Sequence, residues 1–373
     1  MSKSPAELDP NFQVAKVEDG LAWHALSTPD VEGMGWPSES QSFCRLPDRA
    51  QEKVRDVVWQ LSRHSAGIAA RFFTNATQIS ARWTVRNEPL GMDHMPASGV
   101  SGLDFYARDG ERWRWCGVGR ATQFPTNQQL IIDGINNENL QGGEREYLLY
   151  LPLYNSASEV QIGVPENSNL RFAPRAQKPL CFYGTSITHG GCASRPGMSY
   201  PAILGRRFDA PHINLGFSGN AWSEPEIADL LAELDPAIFI LDPLPNMKEP
   251  GIAERLENLI QTLHRAHGST PIVVVESIFH QADWLTKSTA AWLPNSTQAE
   301  SRNAELRKVY ESLKNEIVEK LYYVKGDHLL GDDGEGTVDG VHPTDVGFRH
   351  LAAAIEPAIA QALGDLNAKK EGA

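Results

Sequence analysis

Cysteine is scarce in this chain: four residues, Cys44, Cys116, Cys181 and Cys192, with no C-x-x-C pair among them. That spacing excludes a zinc ribbon and a thioredoxin-like redox motif, and leaves either free thiols or three ways of pairing. No apolar run approaches the ~20 residues of a membrane-spanning helix. Residues 1–11 are polar and lack the apolar core of a secretion signal. The expected compartment is therefore cytoplasmic by default, and extracellular or periplasmic only if a leader has been removed. Positive charge is also short: 34 Lys and Arg stand against 47 Asp and Glu, a formal net charge of −13. An acidic surface without a Lys/Arg run repels phosphate backbones, so nucleic acid is not an expected partner. Repeats and low-complexity tracts are lacking. The acidic run Asp332-Asp333-Gly334-Glu335 does not fit an EF-hand loop. Neither a metal nor a cofactor is expected.

What is present is ordinary globular composition, 41% hydrophobic and 22% charged. A chain of 373 residues exceeds the usual size of one core. The hydrophobic rhythm suggests two domains, residues 1–174 and 175–373. From about residue 67 to 164 the period is two. Ile79, Ala81, Trp83 and Val85 alternate with Ser80, Arg82, Thr84 and Arg86, as in a strand with one buried face. Residues 103–108 and 111–118 flank Asp109-Gly110, a tight-hairpin signal. Residues 146–151 and 159–164 read as further strands around Asn155-Ser156. Strand follows strand, which predicts an antiparallel β-sandwich or jelly roll. Residues 1–66 are rich in turns; Val54, Val57, Val58 and Leu61 fit a short helix or a strand edge.

Past residue 179 the rhythm changes. Apolar runs at 180–183, 212–215, 237–241 and 271–275 read as buried parallel strands, with a shorter one at 321–324. Amphipathic segments at 200–208, 225–234, 252–267, 298–320 and 345–363 read as the intervening helices. This predicts an α/β, flavodoxin-like parallel sheet with helices on both faces.

In such a sheet ligands bind outside the carboxyl ends of the strands, and the polar residues collect there. Gly184-Thr185-Ser186 follows the first strand, Gly216-Phe217-Ser218-Gly219 the second and Leu244-Pro245-Asn246-Met247 the third. Taken singly, each has a plain structural role: Thr185 or Ser186 as a helix N-cap, Gly219 as a turn glycine, Asn246 as a turn residue beside proline. Late in the chain comes Asp339-Gly340-Val341-His342-Pro343. An Asp three residues before a His on a loop lets the carboxylate reach one ring nitrogen and leave the other to a nucleophile. Ser218 competes with Ser186 as nucleophile, and neither sits in a full G-x-S-x-G elbow. Strand order and the D-x-x-H placement favour Ser186.

These four blocks in this order resemble the SGNH hydrolase superfamily, the GDSL-like esterases and lipases, over roughly residues 179–365. Residues 1–174 resemble the β-sandwich that precedes the catalytic domain in one branch. The resemblance implies Ser186, His342 and Asp339 as catalytic residues. It implies an oxyanion hole from Ser186, Gly219 and Asn246. The first block reads Thr185 where the family has an acid outside the triad, and the third lacks its usual glycine before Asn246. The expected function is hydrolysis of an acyl ester, on a carbohydrate by analogy with that branch. An acyltransferase using the same serine and an inert carbohydrate-binding protein are the alternatives. The expected partner is a small-molecule or glycan ester, with the oligomeric state open. His189, Trp284 and Trp292 are further candidates for lining the pocket.

Overall fold

A computed structural model of the chain describes residues 16–40, 42–137, 143–248, 250–285 and 296–371. In its first part short strands pair antiparallel into two sheets. One has the order β1 (Lys16–Glu18), β2 (Leu21–Ala25), β10 (Ala157–Pro165), β5 (Ile79–Val85), β8 (Thr126–Ile132). The other runs β11 (Leu170–Phe172), β4 (Ala69–Thr74), β9 (Arg145–Tyr150), β6 (Leu103–Asp109), β7 (Arg112–Gly119), with β3 (Val31–Glu32) beside β4. The period of two has the predicted consequence. Ile79, Ala81, Trp83 and Val85 share one core with Phe72, Leu103, Phe105 and Leu149 of the facing sheet. Strands β6 and β7 close on Asp109-Gly110, with Asp109 opposite Arg112. Strands β9 and β10 exist as expected but lie in opposite sheets. Between them Asn155 is a buried corner, its amide donating to Asn87 O and Ser101 Oγ at 3.0 Å each and accepting from the Asn87 N–H at 2.9 Å.

The second part is a parallel sheet of β12 (Leu180–Gly184), β13 (His212–Gly216), β14 (Ile238–Asp242), β15 (Ile272–Val275) and β16 (Leu321–Val324), in the order β13-β12-β14-β15-β16. Successive side chains on each strand face opposite ways, and both faces are apolar. Cys181, Tyr183, Phe239 and Leu241 pack against the helices Pro225–Ala232, Ile252–Ala266 and Ser296–Glu316. Leu180, Phe182, Ile238 and Ile240 pack against Tyr200–Arg207 and Asp345–Glu371. Ile252, Leu256, Leu259, Ile260 and Leu263 form the buried stripe of their helix at helical spacing. This is the flavodoxin-like arrangement read from the rhythm.

The turn-rich leading segment resolves as a helix at Asp56–Ser62. Trp36, Leu46, Val54, Val58 and Trp59 join the hydrophobic cluster beneath the parallel sheet rather than the sandwich core. The four cysteines are free, and Cys44, Cys181 and Cys192 are buried. Among the described residues no helix is long and apolar enough to cross a membrane.

Candidate active site

Strand order reverses at β12, and the carboxyl edge there is where an open α/β sheet places its ligand. Ser186 follows β12, Gly219 follows β13 and Asn246 follows β14. Asp339 and His342 sit on the loop leading to the last helix, Asp345–Glu371. All five line one cavity of about 420 Å³, together with Lys248.

The short helix Ser186–His189 begins at this edge, and its N-cap is Thr185, whose Oγ1 accepts from the Ile187 N–H at 3.2 Å. The capping role thus falls to Thr185, which frees the Ser186 hydroxyl. Its Oγ lies 2.9 Å from His342 Nε2. His342 Nδ1 lies 2.7 Å from Asp339 Oδ2. The backbone N–H groups of His342 and Val341 donate to Asp339 Oδ1 at 2.8 and 3.1 Å. Partial burial pushes the Asp339 carboxyl up, but hydrogen bonds from His342 outweigh it and hold the group below the usual carboxylate range. An ionised Asp339 fixes the Nδ1–H tautomer and leaves Nε2 as acceptor for the serine proton.

Opposite the serine, Gly219 has φ of +70°, a left-handed backbone that favours glycine, and a Cβ there would meet nothing within 4 Å. Conformation, not space, demands the glycine. Asn246 ends the 3-10 turn Leu244–Asn246, and its Oδ1 accepts from the Ala221 N–H at 3.4 Å. With the oxygen engaged, the amide nitrogen is the group left for the cavity. The unusual Leu-Pro before Asn246 therefore still delivers its side chain to this edge.

The layer beneath the serine departs from expectation. His189 does not line the cavity. It is fully buried, with its ring stacked on Tyr154 at 4.1 Å and Nε2 donating to Leu153 O at 2.7 Å. Burial and the nearby Arg45 cation hold it well below the ordinary histidine range, so it is neutral. Trp284 is 84% exposed and borders a different hollow with His280 and Leu329, because its segment runs over the loop after β16. Trp292 lies outside the described residues. Two residues absent from the sequence expectations, Tyr154 and Arg45, hold the site from beneath, and a third, His94, stands beside it outside the cavity lining. Tyr154 donates its hydroxyl to Ser186 O at 3.3 Å. Arg45, 1% exposed, donates to Gly216 O at 2.6 Å, Asn214 O at 3.2 Å, His64 O at 3.0 Å and Leu61 O at 2.5 Å. Burial lowers its guanidinium to about 9, still a cation at neutral pH. His94 stands edge-on to His342, ring centroids 5.8 Å apart. Its only trace in the sequence is an exposed-type residue in a turn. Arg45 left a clearer one, a lone cation between Cys44 and Leu46.

The comparisons with known proteins agree with this architecture. The model of the GDSL-like lipase/acylhydrolase family matches residues 177–360, and that of the N-terminus of Esterase_SGNH_hydro-type proteins matches residues 21–170. The latter is named for a Gly-x-Asp-Leu-Tyr motif, and residues 102–106 here read Gly-Leu-Asp-Phe-Tyr. A crystal structure of a protein described as a GDSL-like lipase from Bacteroides ovatus is 33% identical, with a TM-score of 0.81 over 92% of this chain and 98% of that one. The salicylyl-acyltransferase SsfX3 from a tetracycline biosynthetic pathway is 15% identical, with a TM-score of 0.68 over 92% and 98%. A family two carbohydrate esterase from Clostridium thermocellum, in complex with cellohexaose, is 16% identical, with a TM-score of 0.57 over 80% and 93%. At those identities the last two share the fold alone. No curated protein matches the chain. The chain belongs to the GDSL-like lipase/acylhydrolase family of SGNH hydrolases, as an esterase-type hydrolase whose parallel sheet is preceded by an antiparallel sandwich.

Proposed function

We propose that the protein hydrolyses an acyl ester with Ser186 as nucleophile, His342 as base and Asp339 as its orienting acid. The observation that carries this is the pair of contacts on one imidazole: Nε2 at 2.9 Å from Ser186 Oγ and Nδ1 at 2.7 Å from Asp339 Oδ2. As Oγ bonds to the ester carbonyl carbon, its proton moves to Nε2. The carbonyl oxygen gains the negative charge and is held by the N–H groups of Ser186 and Gly219 and by the Asn246 amide. Collapse breaks the bond to the alcohol oxygen, which takes the proton from His342. Water, activated by the same ring, then releases the acid from the acyl-enzyme.

In this reading residues 175–373 are the catalytic domain and residues 1–174 the sandwich domain that braces it. A cavity of about 420 Å³ with Lys248 on its wall suits a short acyl group on a polar alcohol better than a long alkyl chain. Acetylated sugars are the first esters to test, since carbohydrate esterases share this fold. The experiment is an acyl-chain-length series and a set of acetylated sugars, run on wild type and Ser186→Ala. The expected result is highest kcat/KM for the shortest acyl groups and near-complete loss in the variant. Near-full activity of Ser186→Ala would overturn the assignment. Product analysis with added alcohols separates hydrolysis from acyl transfer, and absence of any turnover with all esters would favour a binding protein.

A further inference from the structure

Two residues that the mechanism leaves unused converge on the proposed base. His94, Cys192 and His342 each bring one ligand atom into a cluster in which these atoms lie within 4.8 Å of one another. They come from three distant segments, and the surroundings hold them there. His94 occupies the tip of a tight turn that is closed by two backbone hydrogen bonds, Met92 N–H to Met95 O at 2.9 Å and Met95 N–H to Met92 O at 3.1 Å. Met95, 2% exposed, anchors that turn in the cluster containing Ile187, Ala193 and Tyr200. Four residues on, Gly99 approaches Ala193 so closely that a Cβ would lie 2.2 Å from Ala193 O. Ser98 Oγ donates to Ser194 O at 2.7 Å. On the other side, the Ser194 N–H and Oγ donate to Asp345 at 3.0 and 2.5 Å, three residues past His342. The segments bearing the three ligands are thus stitched together.

Two imidazoles and a thiol form a borderline-soft donor set, suited to Zn²⁺ and Co²⁺ and unsuited to Mg²⁺ or Ca²⁺. Zn–N and Zn–S bonds of ~2.0–2.3 Å require ligand atoms about 3.3–3.7 Å apart. Closing the remaining ångström falls to the exposed His94 ring, since Cys192 is buried and His342 is hydrogen-bonded to Asp339. His342 Nδ1 is committed to Asp339, so the lone pair open to a metal is that of Nε2. We propose that His94, Cys192 and His342 form a binding site for Zn²⁺, and that the bound ion inhibits the enzyme by taking the Nε2 lone pair. Cys192 binds as thiolate and releases its proton to solvent; a water fills the fourth position. The inhibitory half rests on His342 being the base, and the binding half does not.

The test therefore has two arms. In the first, Co²⁺ is titrated into metal-free wild type, His94→Ala and Cys192→Ser, and read by absorbance and calorimetry. Wild type is expected to bind one equivalent with a thiolate-to-cobalt charge-transfer band. Cys192→Ser should lose the band, and each variant should bind at least ~10-fold more weakly, since even outer-shell partners of a metal are worth that much. In the second, Zn²⁺ inhibition of ester hydrolysis is measured with and without a chelator. Wild type should be inhibited reversibly. His94→Ala and Cys192→Ser should keep their metal-free activity and need at least ~10-fold more Zn²⁺. Absence of the band, or equal Zn²⁺ sensitivity in all three proteins, would overturn the proposal. If no ester is turned over, the cobalt arm alone decides whether the site exists.

Discussion

Ser186 is distinguished less by its own triplet than by what surrounds it. Thr185 takes the cap, Asp339 fixes the tautomer of His342, and Ala221 turns the Asn246 amide toward the cavity. Each can be tested by substitution. Removing one oxyanion donor typically costs ~10²–10³ in kcat, so Asn246→Ala should fall by that factor in a steady-state assay while leaving KM little changed. Asp339→Asn loses the acceptor for Nδ1–H and favours the wrong tautomer, for which a drop of ~10⁴ in kcat is the expected scale. A second acid behaves oppositely. Asp242, at the end of β14, is buried against Tyr200 and Thr188, and burial pushes its carboxyl up to about 8. The fold then retains a proton that the unfolded chain releases above pH ~4. Stability contributed by this group is full below that pH, is lost as pH rises toward 8, and levels off beyond. Asp242→Asn should therefore melt higher than wild type at pH 7, with the gap closing toward pH 4. A gap independent of pH would contradict this account. That Ser186, Asp339 and His342 meet at one edge was legible because each follows a recognisable strand or precedes a recognisable helix. Trp284 was misplaced because an aromatic in a long loop carries no signal of which way the loop turns.

The elements that hold these residues were legible in proportion to their regularity. Strand β5 and the helix Ile252–Ala266 have clean periods, and their faces followed from those periods, while β12 was legible as an unbroken apolar run. The sequence places Asn155 between two strands but not at a buried corner, since that role depends on Asn87 and Ser101 far along the chain. Arg45 shows how one side chain ties elements together. It gathers carbonyls from the end of β13 and from the C-terminal turn of the helix Asp56–Ser62. The strand end it holds leads directly into Gly219. Arg45→Ala leaves those carbonyls buried without a donor, at a cost of about 1–3 kcal/mol for each group left unsatisfied. Denaturant unfolding should register that loss, and kcat should fall more than KM rises. Arg45→Lys, with a compact ammonium in place of the planar fork, should recover only part of both.

At the scale of the molecule, the sandwich reaches into the catalytic half through one buried acid. Asp104, 0% exposed on β6, accepts from Arg195 Nη1 and the Gly197 N–H at 2.8 Å each. Trp115 Nε1 donates to it at 3.1 Å. An Asp amid Leu103, Phe105 and Tyr106 stands out in the sequence, but Arg195 and Gly197, which join it to the other half, lie 91 and 93 residues on. Asp104 pins the loop that carries Cys192 and leads to Tyr200, and Trp36 and Trp59 enter the cluster under the parallel sheet, so the first half supplies part of the second half's core. Calorimetry should show one cooperative transition. Asp104→Ala leaves Arg195 without its carboxylate and should lower stability by roughly 3–5 kcal/mol.

The central claim is that Ser186, activated by His342, is the nucleophile, and covalent labelling tests it most directly. Purified protein is treated with a fluorophosphonate, digested and mapped by mass spectrometry. One adduct on Ser186 is predicted, absent from Ser186→Ala and strongly slowed in His342→Ala. An adduct on Ser218, or undiminished labelling of Ser186→Ala, would contradict the account.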